Sequence, residues 1–281
     1  MEEVVGPGHR VTGVRWLGGT WLANHAVRVR SPSGTVLRLV LRRWARPGWD
    51  VDDPDFSAHR EAAVLGLLSG SGVPAPGLVA ADPEARRCDV PALLVTRVPG
   101  HPPGPRETAD LPAFLAQLAG ALAAVHRVDG WDLPAYRRYY EVDQLRPPSP
   151  VWARAAALVA EPPPPGRTAF IHRDYHPGNT LWSRGRLTGV VDWTTGSRGP
   201  LAVDLGHMRW NLALDHGLEA ANAFLEAYRS LAGESCEDQP YWDLVTALDV
   251  MADVDPGELR PLEAYVASLS APSPGSPGTA R

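Results

Sequence analysis

The chain contains no lysine, and all 27 of its Lys-plus-Arg positions are arginine. Any task that calls for a lysine ammonium must therefore be met here by a planar guanidinium. Cysteine is almost as scarce. Cys88 and Cys236 are too few for a disulfide framework and too widely spaced for a metal-ligand pair, which points to a reducing compartment. No stretch approaches the roughly 18 apolar residues of a membrane span. The opening MEEVVGPGHR also lacks the basic-then-apolar order of an export signal. These absences lead us to expect a cytoplasmic protein with no membrane partner.

The chain has 281 residues, of which 44% are apolar and 21% charged, enough for one large domain or two lobes. Its charge is uneven: residues 204–281 hold 13 Asp and Glu against 4 Arg, whereas residues 1–203 hold 19 acids against 23 Arg. An acidic C-terminal part is either a solvated face or an attractor for a cationic partner, and it repels nucleic acid.

Alternation over Val11 to Arg43, broken at Gly18-Gly19 and at Ser31 to Gly34, predicts three antiparallel strands. Gly18-Gly19 falls short of a phosphate-cradling GxGxxG and reads as an ordinary hairpin turn. After a polar connector at 45–55, Ala58, Ala62, Leu65 and Leu68 recur at helical spacing behind an Asp or Ser cap. Glu61 sits off the centre of that stripe, within reach of Arg42 on the preceding strand. VPAPGLVAAD, RCDV and ALLVTRVPG read as extended segments that end in a hinge at Pro99-Gly100. Leu111, Phe114, Leu115, Leu118, Leu122 and Val125 then form the stripe of a long buried helix closed by His126, which reads as a cap. Residues 133–150 show no assignable period. A short helix over 151–160 is stopped by EPPPPGR, four helical stretches follow Asp204, and residues 271–281 read as a disordered tail.

Between these parts lies FIHRDYHPGNTLWSRGRLTGVVDW, residues 170–193, where short polar turns alternate with apolar runs. That is how a scaffold of strands presents a few chemical groups. Pro177 and Gly178 prevent a helix through HRDYHPGN, so Asp174 and Asn179 face one another across a tight loop. Asp174 can take or orient a hydroxyl proton. Asn179 and Asp192 offer the hard oxygens that suit Mg²⁺ together with substrate phosphates. Such a set is sufficient for phosphoryl transfer, which relies on positioning and charge neutralisation. A transition-metal site made of His172, His176 and Asp174 is disfavoured by Pro177 and by the lack of further His or Cys nearby.

His172-Arg173-Asp174 through Asn179 matches the pattern H-R-D-x-x-x-x-N residue for residue. With VVDW 18 residues after the base, the chain resembles the protein-kinase-like superfamily and within it the aminoglycoside phosphotransferase family of small-molecule kinases. The resemblance runs from about Val11 to about Leu269. It implies an α+β, two-lobed fold: a nucleotide-binding part at 1–98 with an antiparallel sheet and one helix, and a mainly helical catalytic and acceptor-binding part at 99–270. It implies Asp174 as catalytic base, Asn179 and Asp192 as Mg²⁺ ligands, and His172 as support for the loop. Arg42 stands where a nucleotide-gripping Lys is expected and Glu61 where its partner Glu is expected. His176 would contact the γ-phosphate or pack, and the backbone at Thr96 and Val98 would meet the adenine.

The sequence departs from the family pattern at four places. Arg replaces Lys at position 42, Trp193 replaces the Phe of D-F-G, no activation loop precedes Asp204, and in GPLAVD the acidic residue usual after Gly is missing, which leaves Asp204 as the remaining acid, read as structural. The expected reaction is ATP- or GTP-dependent phosphorylation of a small-molecule hydroxyl. The acidic C-terminal part favours a cationic acceptor such as an aminoglycoside, with Trp210, Asn211 and Asp215 as candidate contacts. A macrolide, an amino sugar or choline is the alternative acceptor. A nucleotide- or antibiotic-binding protein without turnover is the reading from another class.

Overall fold

The computed structural model describes residues 2–19, 22–46, 56–233, 236, 239–253 and 259–270. The tail expected at 271–281 and most of the polar connector lie outside them. By internal contacts the described residues form two compact units. One falls within Met1–Ala109, Val128–Leu133 and Gly178–Ser197, the other within Asp110–Arg127, Pro134–Pro177 and Arg198–Arg281.

The first unit is built on a five-stranded sheet of order β1-β2-β3-β5-β4, from β1 (Arg10–Gly18), β2 (Ala23–Arg30), β3 (Val36–Arg43), β4 (Leu78–Asp82) and β5 (Ala92–Thr96), in which all neighbours pair antiparallel. Side chains on β3 alternate between faces. Leu37, Leu39 and Leu41 enter a cluster with Val27, Val29 and Leu94, and Arg42 is left to the opposite face. The short helix α1 (Glu2–Val5), for which the sequence shows no pattern, docks on that cluster through Val5. The expected helix is α2 (Ala58–Leu68), where the hydroxyl of Ser57 caps the Arg60 amide at 3.2 Å. RCDV is not extended. The Asp82 carboxylate accepts the amides of Arg86, Arg87 and Cys88 at 2.7–2.8 Å and curls this segment into a loop.

The second unit is helical: α3 (Leu111–Val125), α4 (Pro150–Ala160), α5 (Ala202–His216), α6 (Leu218–Ala232), α7 (Gln239–Asp253) and α8 (Arg260–Ser270). The sequence predicted all six as helical stretches. Two short strands, β6 (Thr168–Ile171) and β9 (Ser197–Pro200), pair with each other, and residues 142–144 of the stretch without period form one 3-10 turn. Gly206 lets α5 approach α7, because a Cβ there would stand 2.8 Å from the Trp242 carbonyl oxygen. That approach fixes the helix that carries Asp204 and His207.

The hairpin of β7 (Thr180–Ser183) and β8 (Arg186–Val190) belongs to the first unit. His101 and Trp182 exchange backbone hydrogen bonds at 3.1 and 2.7 Å, so the residues just after Pro99 are stitched to this hairpin. Gly100 permits the join: its φ is +122°, and a Cβ would lie 2.7 Å from the Trp182 carbonyl oxygen. Gly100→Ala is expected to cost about 2–3 kcal/mol, from a forbidden backbone region plus a backbone clash. Urea unfolding would measure the loss, with the m-value unchanged.

Candidate active site

Strand pairing brings Asn179 and Asp192 together at one end of a hairpin. Thr180 pairs with Val190, and the Val191 amide donates to the Asn179 carbonyl at 2.9 Å, so the two residues flank the open end of β7 and β8. Asp192 has φ of +66°, a conformation that Asp tolerates better than most residues. It is locked there from behind, because Trp193 is fully buried and its indole N–H donates to the Val190 carbonyl at 2.9 Å. Trp193 thus acts as an anchor.

Arg42 reaches this hairpin end with its whole fork. Nε donates to Glu61 at 2.8 Å, Nη2 to Asp192 Oδ1 at 2.6 Å, and Nη1 to Asn24 Oδ1 at 3.4 Å. The register explains Asn24, which stands opposite Arg42 in the β2–β3 ladder. Burial pushes the Glu61 carboxyl up, and Arg42 pulls it back towards the ionised form that the ion pair requires. The same two carboxylates raise the guanidinium against the opposing effect of its own burial. A lysine ammonium has no such planar spread of donors.

Asn179 and Asp192 supply a carboxamide and a carboxylate on adjoining backbone, which is a hard-oxygen set that fits Mg²⁺ completed by phosphate oxygens and water. Asp192 Oδ1 is engaged by Arg42, and the side chain remains 37% exposed. At the other end of β5 the Thr96 amide donates to the Gly77 carbonyl at 2.8 Å. The Val98 side chain lies against Gly189 of β8, where a Cβ would come within 2.5 Å of it.

Asp174 belongs to the second unit, on the turn that leaves β6. The turn is held by one buried carboxylate. Asp204 on α5 accepts the amides of His172 at 2.8 Å and Arg173 at 2.7 Å, and His126 Nε2 lies 3.0 Å from it. Arg173, at φ +72°, is kept in that costly conformation by Asp204 and by its guanidinium, which sits 5.2 Å from the ring centre of Tyr136 and 4.4 Å from that of Tyr139. His172 is buried and its Nδ1 accepts the Asp174 amide at 3.3 Å. His126, read from the sequence as a cap, both ends α3 and joins Asp204 to Tyr228, whose hydroxyl is 2.7 Å from Nδ1.

The Asp174 side chain meets His207 Nε2 at 3.1 Å and His176 Nε2 at 3.8 Å. Burial alone would raise this carboxyl. The hydrogen bond from His207 and the imidazole charges outweigh it and hold the group below the usual carboxylate range. His176 thus lies beside the predicted base and against His207, with ring centres 5.6 Å apart. His207 was not among the residues predicted from the sequence. Its ring in turn meets Trp210 at 5.2 Å. The Asn211 amide is bonded to the His207 carbonyl at 2.9 Å, and Asp215 lies exposed near the end of α5, about 12 Å along the axis from His207.

The model of the phosphotransferase enzyme family matches residues 18–248. Among curated protein sequences, none matches the chain. Several solved structures share its fold. A thermostable mutant of aminoglycoside phosphotransferase APH(4)-Ia, in ternary complex with ADP and hygromycin B, aligns at TM-score 0.63 and 16% identity over 96% of this chain and 94% of that one. Aminoglycoside-3'-phosphotransferase of type VIII aligns at 0.53 and 22%, over 85% and 93%. A choline/ethanolamine kinase family protein from Mesorhizobium loti aligns at 0.55 and 16%, over 92% and 86%. The α+β, kinase-like fold expected from the sequence is the fold observed. Among the described residues, no helix is long and apolar enough to cross a membrane.

Proposed function

The chain belongs to the phosphotransferase enzyme family, and from that premise we propose that it moves the γ-phosphate of ATP or GTP to a hydroxyl of a small, amine-bearing molecule. The observation that carries the reading is the geometry at Asp174, whose carboxylate lies 3.1 Å from His207 Nε2 on a loop whose backbone is clamped by Asp204. Asp174 receives and orients the acceptor hydroxyl and takes its proton as the P–O bond forms. Asn179 and Asp192 would hold Mg²⁺, which when bound supplies charge neutralisation to the phosphate oxygens. Arg42, oriented by Glu61, sets Asp192 and adds positive charge for the nucleotide phosphates. The Thr96 to Val98 backbone offers the adenine its polar edge, with the Thr96 carbonyl as acceptor because the amide is committed to Gly77.

For the acceptor, we favour a cation. The Trp210 ring beside His207 presents an aromatic surface that attracts ammonium groups, and Asp215 lies further along the same helix. Part of the acidic excess is spent internally: Asp204 is buried in the loop clamp, and Asp243 is buried against Arg209 at 3.0 Å. The remaining acids and the aromatic surface are what an amine would meet. The aminoglycoside and choline/ethanolamine kinases of like fold are described by amine-bearing acceptors. If the acceptor is an antibiotic, phosphorylation would give resistance, and the reaction would take place in the cytoplasm where ATP is available.

The test is ADP or GDP release with Mg²⁺-ATP and Mg²⁺-GTP across aminoglycosides, macrolides, amino sugars, choline and neutral polyols. Turnover with an amine-bearing compound is expected. Nucleotide binding without turnover on any of them would replace the reading by that of a binding protein, and turnover on neutral acceptors alone would overturn the acceptor class.

A further inference from the structure

The Asp204 clamp fixes the backbone of the loop but not the Asp174 side chain, which is 39% exposed and projects beyond it. The reaction depends on alignment of that carboxylate, and each misplaced rotamer is lost to it. Asp204 and His207 are three residues apart on α5 and therefore share one face of the helix. The helix that holds the loop backbone through Asp204 also holds the carboxylate through His207.

We propose that His207 is a positioning residue for phosphoryl transfer, holding the Asp174 carboxylate in one orientation for the acceptor hydroxyl. The inference rests on the reading of Asp174 as the acceptor-facing base. The imidazole is suited to the task because its own ring is confined. It is 18% exposed and packed between His176 at 5.6 Å and Trp210 at 5.2 Å. Gly206 next to it sets the depth of α5 against α7. Among the titratable groups that face Asp174 are His207 from α5, and His176 and His172 from its own loop. Arg173 turns its guanidinium to Tyr136 and Tyr139, and Asp204 is committed to the loop amides and His126. A carboxylate held at low proton affinity is a weak base. That suits a transfer in which the acceptor needs little activation and alignment is the main contribution. His207 trades basicity for orientation and keeps Asp174 ionised.

The experiment is steady-state kinetics of His207→Ala and His207→Gln from pH 5 to pH 8, with Asp174→Asn in the same assay. His207→Ala is expected to lower kcat about 10–100-fold with the nucleotide KM little changed, the size of effect that a misplaced reacting group produces. The ratio of the His207→Ala rate to wild type should fall further towards pH 5, because burial then raises Asp174 with its main counterweight removed. Gln keeps an N–H donor and should restore kcat at pH 8 to within about 5-fold of wild type, as a neutral donor replaces the imidazole. A His207→Ala rate within 2-fold of wild type at every pH would overturn the proposal. So would a Gln variant no better than Ala, since lost packing alone would affect both. If Asp174→Asn is inactive and His207→Ala is not impaired, only the role of His207 fails. If Asp174→Asn turns over normally, the reading of Asp174 fails and this proposal with it.

Discussion

Asp174→Asn is expected to lower turnover by about 10²–10⁴-fold, the usual contribution of a positioned general base, while the affinity for nucleotide is kept. The substitution is nearly isosteric, and the turn that bears it is held by Asp204 through the His172 and Arg173 amides, so the backbone should stay in place. What is lost is the negative charge and the ability to take a proton. Stability should change with a definite sign. The carboxyl of Asp174 is held below its ordinary value in the folded chain, chiefly because the His207 hydrogen bond and the imidazole charges exceed the opposing effect of burial. A depressed group stabilises the fold above its unfolded pKa of about 4 and ceases to do so as pH falls through the folded value. The Asn variant should therefore be less stable than wild type at neutral pH, with the gap closing below about pH 4. Single-turnover product formation, nucleotide titration by fluorescence and thermal melts against pH would measure the three effects. An undiminished single-turnover rate would remove Asp174 from the chemistry.

Much of the chain was legible because its signals are local. Strand alternation gave β1 to β3, apolar stripes gave α2 and α3, helical stretches gave α4 to α8, and HRDYHPGN with VVDW gave the loop and hairpin that carry Asp174, Asn179 and Asp192. The Arg42–Glu61 pair was suggested by an off-stripe Glu within reach of the preceding strand, and the kinase pattern gave the pair a role, since nothing local joins residues 19 apart on a strand and a helix. His207 was missed because its role depends on how α5 docks, 33 residues beyond the base. The available clue was its i,i+3 spacing from Asp204, which predicts that the two share a face but not what that face meets. The helix α1, with four residues, is too short to show a period and is held by the docking of Val5. RCDV misread because its apolar and polar residues alternate while three amides in a row turn to Asp82. The C-terminal part is acidic by formal charge, but formal charge does not reveal that Asp204 and Asp243 are buried and paired.

Arg42→Ala is expected to destabilise the first unit by about 3–5 kcal/mol, the cost of leaving one partner of a buried ion pair behind. Glu61 is 2% exposed, so it cannot recover hydration by a small movement, whereas Asp192, 37% exposed, can. The loss should therefore come mainly from Glu61. Glu61 already sits above its ordinary value by burial, with Arg42 opposing, and removing Arg42 drives it further up. For a carboxyl raised in the folded state, the sign is opposite to that of Asp174. The neutral form is tolerated, so stability is fullest below the unfolded pKa and declines as pH rises through the folded one. The deficit of Arg42→Ala relative to wild type should thus be larger at pH 8 than at pH 5. Adding Glu61→Gln should recover a large part of it, because a neutral amide is cheaper to bury than an unpaired charge. Arg42→Lys should fall between, since one ammonium can meet Glu61 or Asp192 but cannot span both acceptors and Asn24 with fixed geometry. Chemical unfolding of the four proteins at two pH values measures these terms. If the double variant is no more stable than Arg42→Ala, or if the deficit is the same at pH 5 and pH 8, Glu61 is not the group that Arg42 sustains.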